Sequence, residues 1–204
     1  MNAVKNQREA YFLAKQVWKP STLLNPVPIV MVTCADAAGK ANIITLAWAG
    51  TINSDPPMLS ISVRKERYSY NLIKEKGQFA VNLTTQKLVF ATDLCGVKSG
   101  RDIDKFEAAK LTAEKATVID VPVIKESPVS LECIVKNRLE LGSHDMFIAE
   151  IVSINVEEGL LDDKGKLMLD KAGLICYSHG KYWTLGKELG FFGYSVAKKK
   201  NIKR

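Results

Sequence analysis

The spacing of hydrophobic and polar positions changes from one short stretch to the next along this chain. In "MLSISVR", residues 58–64, alternation is complete: Leu59, Ile61 and Val63 share one face, while Met58, Ser60, Ser62 and Arg64 share the other. A period of two belongs to a strand with one buried face. Upstream, "PIVMVTCA" and "ANIITLAWAG" are almost uninterrupted apolar runs of strand length, expected to form a hairpin about "DAAGK". A further strand is expected in "FAVNLTT". The longest alternations come late. "VSLECIVKNRLEL" turns Val129, Leu131, Cys133 and Val135 inward and is joined to "MFIAEIVSINV" across the turn "GSHD". Helical spacing is confined to "YSYNLIKEKGQ", stopped by Gly77, and to "QKLVFATDLCG", which runs into the charged, glycine-bounded loop "GVKSGRDIDKF". Residues 3–19 suit a short helix or an extended arm.

Many strands and few short helices predict a mainly β fold, an antiparallel barrel with helical additions. One domain is expected over residues 1–204, with a core at about 26–195, an N-terminal arm at 1–25 and a basic tail at 196–204. Regular strand–helix alternation and a glycine-rich first turn are missing, which argues against a doubly wound parallel sheet. With 204 residues, 47% of them hydrophobic and 25% charged, the chain has globular composition. The apolar runs are far shorter than the roughly 20 residues of a membrane span, and residues 1–12 lack the order of a signal peptide. A cytoplasmic protein without a membrane partner is expected. The net charge of +7 is concentrated at the end, where residues 197–204 carry five positive charges. That is a solvated tail and not a nucleic-acid surface. Four cysteines stand one to a segment, and there are two histidines, so no metal site is expected and the thiols read as small buried hydrophobes.

The chemistry-bearing stretch is "NIITLAWAGTINSDPPMLSISVR", residues 42–64. Small residues at Thr45, Ala47, Ala49, Gly50 and Thr51 would admit a flat ring, and Trp48 would wall it. Ser62 and Arg64 would offer a hydroxyl and a planar cation from one strand face, which are the needs of a flavin nucleotide. The same residues also read as a core tryptophan and a solvated strand end, and pattern alone leans slightly to that reading. Likewise His144 reads as an exposed turn residue, Lys98 and Arg101 as loop solubilisers, Asp102 as a helix cap for "IDKFEAA", and His179 as structural.

Four blocks, however, occur together and in order: "NIITLAWAGTINSDPPMLSISVRKERYSYNLI", "GVKSGRDIDKF", "GSHDMFIAEI" and "GKYWTLGKELGFFGYS". On these the chain closely resembles the flavin reductase-like, FMN-binding split-barrel family, especially its flavoredoxin branch, over about residues 26–195. The resemblance implies a Greek-key-like split barrel, bound FMN, and electron transfer from NADH or NADPH to a flavin, metal or protein acceptor. The alternative it leaves open is an FMN-containing electron carrier with little or no nicotinamide activity. It places Asn42 and the run Thr45, Leu46, Ala47, Trp48, Ala49, Gly50, Thr51 along the flavin ring. Ser62, Val63, Arg64, Arg67, Tyr68 and Ser69 then fall near the ribityl phosphate. Lys98, Ser99 and His144 match positions that approach the flavin, with Lys98 or a protonated His144 stabilising the reduced form. Tyr182, Trp183 and Phe192 match an aromatic block that shapes the pocket or a contact between the two subunits of a homodimer.

Overall fold

A computed structural model describes residues 15–197, so most of the proposed N-terminal helix or arm and the basic tail lie outside the described residues. Residues 15–19, which are described, are exposed and non-helical. Twelve strands follow: β1 (Val27–Pro28), β2 (Val30–Ala35), β3 (Ala41–Leu46), β4 (Ala49–Ser54), β5 (Pro57–Arg64), β6 (Gln78–Leu83), β7 (Ala113–Glu114), β8 (Val123–Ile124), β9 (Val129–Glu140), β10 (His144–Val156), β11 (Ile175–Ser178) and β12 (Lys181–Thr184). Three helices interrupt them: α1 (Tyr68–Lys76), α2 (Val89–Val97) and α3 (Lys105–Ala109).

Seven strands form one antiparallel sheet in the order β3-β2-β6-β9-β10-β5-β4. Its two edge strands, β3 and β4, are neighbours in the chain, separated only by Ala47 and Trp48. A sheet whose opposite edges are joined by two residues must curl into a barrel, split at that seam. The β4–β5 ladder begins at this corner, where the Ser62 amide donates to the Trp48 carbonyl oxygen at 2.9 Å. The expected single strand "ANIITLAWAG" is therefore two strands. Its halves pair with different partners, β3 with β2 and β4 with β5.

Burial follows from this closure. The barrel interior takes Val32, Ile44, Leu59, Ile61, Val63, Phe79 and Phe147, with Tyr70 and Ile73 of α1 packed against them. On β5 the alternation read from the sequence holds, with Leu59, Ile61 and Val63 buried and Ser62 and Arg64 turned outward. All of β2 is buried because its outer face is covered at Met31 by α2 and α3, through Ala91, Cys95 and Ala109, and at Ala35 by the loop before β8, through Ala116, Ile119 and Val121. That is why its sequence runs apolar instead of alternating. Helix α1 ends on Gly77, whose left-handed φ of 66° lets its amide reach the Ile73 carbonyl at 2.9 Å. Helix α3 is capped by Asp104, which accepts from the Phe106 and Glu107 amides. The cap expected at Asp102 thus falls two residues later, because the loop turns once more first through the Asp102 amide to the Ser99 carbonyl.

A second, three-stranded sheet, β1-β11-β12, places the segment "KYWT" across from the seam, and β7 with β8 makes a short ribbon. The loop before β8 is pinned by buried Glu132, which accepts from the amides of Thr117, Val118 and Ile119 and from Asn155. Burial raises that carboxyl, but the four hydrogen bonds outweigh it and hold it below the ordinary value.

Candidate functional site

The seam is where chain direction changes, and it leaves two adjoining clefts. The first, about 310 Å³, lies over Ala47 and Trp48 and is lined by Ile44, Thr45, Leu46, Ser62, Arg64, His144 and Tyr182 among others. The second, about 190 Å³, lies beyond Arg67 and is lined by Asn42, Tyr68, Ser69, Lys98, Ser99, Arg101 and Lys105. Both are bounded by Ile44 and Arg67, so they form one trench, with an aromatic compartment that carries Trp48, His144, Tyr177 and Tyr182 beside Arg64, and a cationic one that carries Lys98, Arg101 and Lys105.

In the aromatic compartment the Trp48 and His144 rings approach to 4.4 Å between centroids, tilted by 48°. The sequence suggested that His144 sits in a turn. It is instead the first residue of β10, paired with Arg64 at the end of β5, because β10 extends to complete its ladder with β5. Its Nδ1 lies 2.9 Å from the Ser143 hydroxyl. Burial lowers its pKa, the Arg64 charge lowers it further, and Glu66 opposes weakly. The imidazole beside Trp48 is therefore neutral near pH 7. Thr45 fixes the compartment's back wall to α2 by donating from Oγ1 to the Thr92 carbonyl at 2.6 Å. Tyr182 reaches it from β12, its hydroxyl donating to Asp93 at 2.8 Å.

The cationic compartment is built from loops. Asn42 is buried and donates from Nδ2 to the Ser69 hydroxyl at 2.7 Å. Arg101 lies over the Tyr68 ring, 5.5 Å from its centroid, and donates to the Glu66 carbonyl. Arg67 donates to the Gly96 carbonyl at 3.5 Å. Gly100 is required by close approach: a Cβ there would sit 2.1 Å from Asn42 Oδ1 and 2.8 Å from the Tyr68 ring. Lys105 is buried beneath, with its ammonium on two backbone carbonyls.

Most of the expected site residues thus converge on one trench. Thr45, Leu46, Ala47, Trp48, Ser62, Arg64 and His144 line the aromatic part, whereas Asn42, Tyr68, Ser69, Lys98 and Ser99 line the cationic part, and Arg67 borders both. Ser62 and Arg64, expected at the phosphate end, lie in the aromatic compartment, where Arg64 pairs with Glu66 at 3.4 Å. Ala49, Gly50 and Thr51 line neither part and continue along β4, and Val63 points into the barrel core. Trp183 and Phe192 are exposed and outside the trench, while Tyr182, one residue earlier, is inside. Sequence reasoning passed over Lys105, Gly100, Cys95 and Tyr177. Cys95 and Cys34 are buried thiols, each pushed up to about 11 by burial, so neither is a nucleophile at neutral pH.

Comparison with known proteins agrees with this geometry. The model of the flavin reductase like domain matches residues 23–186. Flavoredoxin of Desulfovibrio vulgaris (Miyazaki F) is 30% identical and superposes with a TM-score of 0.84, over 90% of this chain and 100% of that one. Flavoredoxin from Methanosarcina acetivorans is also 30% identical, with a TM-score of 0.81 over the same shares. An uncharacterised protein of Archaeoglobus fulgidus is 33% identical over 145 residues, 71% of this chain and 81% of its own length. The curled seven-stranded sheet, the trench at its seam and these matches lead to one assignment: the chain belongs to the flavin reductase-like domain family, with its split-barrel fold.

Proposed function

We propose that this protein is an FMN-binding oxidoreductase that takes electrons from NADH or NADPH and passes them to a flavin, a metal complex or a protein. The observation that carries the reading is the trench itself, a compartment walled by Trp48, His144 and Tyr182 that adjoins one lined by Lys98, Arg101 and Lys105. A flavin mononucleotide has the same division, a planar ring at one end and a single phosphate at the other. The residues present fit it. Gly100 lets its loop close onto Asn42 and Tyr68 at the cleft wall, and Arg67, Lys98, Arg101 and Lys105 supply the charge.

When bound, FMN supplies the redox chemistry, accepting two electrons and a proton equivalent and giving them up singly or in pairs. The protein's own part is to bind and to exclude water. Trp48 and His144 wall the ring, and Thr45, tied to α2, keeps that wall at fixed depth. With its Nδ1 facing Ser143, neutral His144 keeps Nε2 free to hold or donate a proton at the ring edge. Lys98 and Arg67 place positive charge along the trench, which favours an anionic ligand and the electron-rich form of the ring. The homodimer expected from the family resemblance belongs to the same reading, supported by the exposed Leu189, Phe191, Phe192 and Val196 near the C-terminus.

The likeness to two flavoredoxins favours a second reading, an electron carrier with little or no direct reaction with nicotinamide. Isolated protein is expected to be yellow and to release FMN on heating; a colourless protein that also refuses added FMN would sink both readings. Stopped-flow reduction by NADH and NADPH separates them, since no reduction above background by either leaves only the carrier.

A further inference from the structure

Lys105 opens α3 and is only 5% exposed. Its Nζ donates to the carbonyl oxygens of Ile43 on β3 and Cys95 on α2, each at 2.7 Å. Those acceptors are dipoles and not charges. Among the described residues no carboxylate forms an ion pair with Lys105. Asp104, next to it in sequence, spends its carboxylate on the Phe106 and Glu107 amides. Glu66, on the same cleft, pairs with Arg64.

The titratable groups facing this ammonium come from three elements. Cys34 of β2 and Cys95 of α2 are held protonated by burial, so neither supplies a negative charge. Arg67, ahead of α1, adds positive charge, and Lys98 and Arg101 line the same cleft. Burial accordingly pushes the Lys105 ammonium below the ordinary lysine value. A buried charge with no opposite charge is costly, and proteins seldom keep one without a use. This one lines a cleft open to solution, so its anion can arrive from outside.

We propose that Lys105 is the buried counter-charge of the ligand's phosphate, and the residue through which the trench selects a phosphorylated flavin over riboflavin. The proposal rests on the FMN reading above. Arg67, Lys98 and Arg101 are exposed, so solvent and salt screen their pull on an anion. Lys105 acts from low dielectric, where a charge-assisted contact with a phosphate oxygen is strongest. Because the same ammonium staples β3 to α2, an anion at the cleft also reports to both walls of the trench.

The test is Lys105→Met, which keeps the length and apolar stem and removes the charge. Dissociation constants for FMN and riboflavin are measured by quenching of flavin fluorescence. FMN is expected to weaken by about 30-fold or more, the scale of a hydrogen bond to a charged group, and riboflavin by less than about 3-fold. An equal loss of both would overturn the proposal and leave Lys105 a strand–helix staple. Wild-type protein that binds neither flavin would instead defeat the FMN reading, a separate result. Should the variant fail to fold, the wild type still decides. In NMR of lysine labelled at Cε, the buried lysine of the apoprotein should titrate below its exposed counterparts. FMN should raise its midpoint and riboflavin should not; a midpoint unmoved by FMN overturns the proposal.

Discussion

Asp145 and Lys105 are both buried and both charged, yet the fold treats them in opposite ways. Asp145, the second residue of β10, is fully buried. Its Oδ2 accepts from the Tyr70 hydroxyl at 2.5 Å and from Arg138 Nη1 at 3.0 Å. Arg138 also donates to the Tyr70 oxygen and pairs with Glu140. Asp145 Oδ1 makes no hydrogen bond but has Lys65 Nζ 3.4 Å away as an ion pair. Burial would raise this carboxyl, but Tyr70, Lys65 and Arg138 outweigh it and hold it below the ordinary aspartate value. Lys105 has two carbonyls and, among the described residues, no carboxylate partner. A buried charge met by partners inside the chain stabilises the fold. One left without an opposite charge on the wall of a cleft points to a ligand.

The largest effect is expected on the partnered side. Asp145→Asn leaves Arg138 and Lys65 facing a neutral group, and should lower unfolding free energy at pH 7 by about 3 kcal/mol in urea melts. The sign with pH is fixed by the direction of the shift. With its folded pKa depressed, Asp145 contributes stability above the unfolded value of about 3.9 and loses it as pH falls through the folded value. The variant should therefore show a shallower acid limb than the wild type. A loss below about 1 kcal/mol would show that the partners do not depend on the charge.

Next is Lys105→Met without flavin. Relief of the unmatched charge is opposed by loss of the hydrogen bonds to the Ile43 and Cys95 carbonyls, so the apoprotein should lose less than the roughly 3 kcal/mol expected for Asp145→Asn. Because the folded Lys105 pKa is depressed, the wild-type apoprotein should gain on the variant as pH rises toward the ordinary lysine value of about 10.4. A variant apoprotein weaker by several kcal/mol would place Lys105 with Asp145 as a structural charge.

Neither buried charge could be read from the sequence. Asp145 stands in "GSHD", which has the composition of a turn, and Lys105 stands in "IDKFEAA", which has the composition of a solvated helix start. Their burial depends on strands and helices distant in sequence, Tyr70 and Arg138 for one and Ile43 and Cys95 for the other. Local features were legible. The alternation of β5, the Gly77 stop and the long β9–β10 hairpin each depend on neighbours within a few residues or on a tight turn. The break at Ala47–Trp48 was hidden because both halves of "ANIITLAWAG" favour strand, and only pairing with β2 and β5 separates them. The trench residues were found through the resemblance, since spacing alone left Trp48 and Arg64 with two readings. Spacing could not show that Ser62 and Arg64, which the resemblance assigns to the phosphate end, lie on the Trp48 side of Arg67. Arg64 is turned outward on β5 as expected, but the loops that carry Lys98, Ser99 and Lys105 close over the far side of Arg67.

The smallest expected effect bears on the other end of the trench. Trp48 is 42% exposed, and its ring meets His144 at 4.4 Å, so it contributes through one open face and one aromatic contact. Truncation to alanine should weaken FMN by about 3- to 10-fold, the scale of an aromatic pair. It should weaken riboflavin by the same factor, because the wall faces the part the two flavins share. The ratio of the two affinities then separates the compartments, moved by Lys105→Met and unmoved by Trp48→Ala. His144 is neutral near pH 7 through burial and the Arg64 charge, so the effect of Trp48→Ala should be flat between about pH 7 and 8. A loss larger for FMN than for riboflavin would place the phosphate against Trp48 and reverse the orientation of the ligand in the trench.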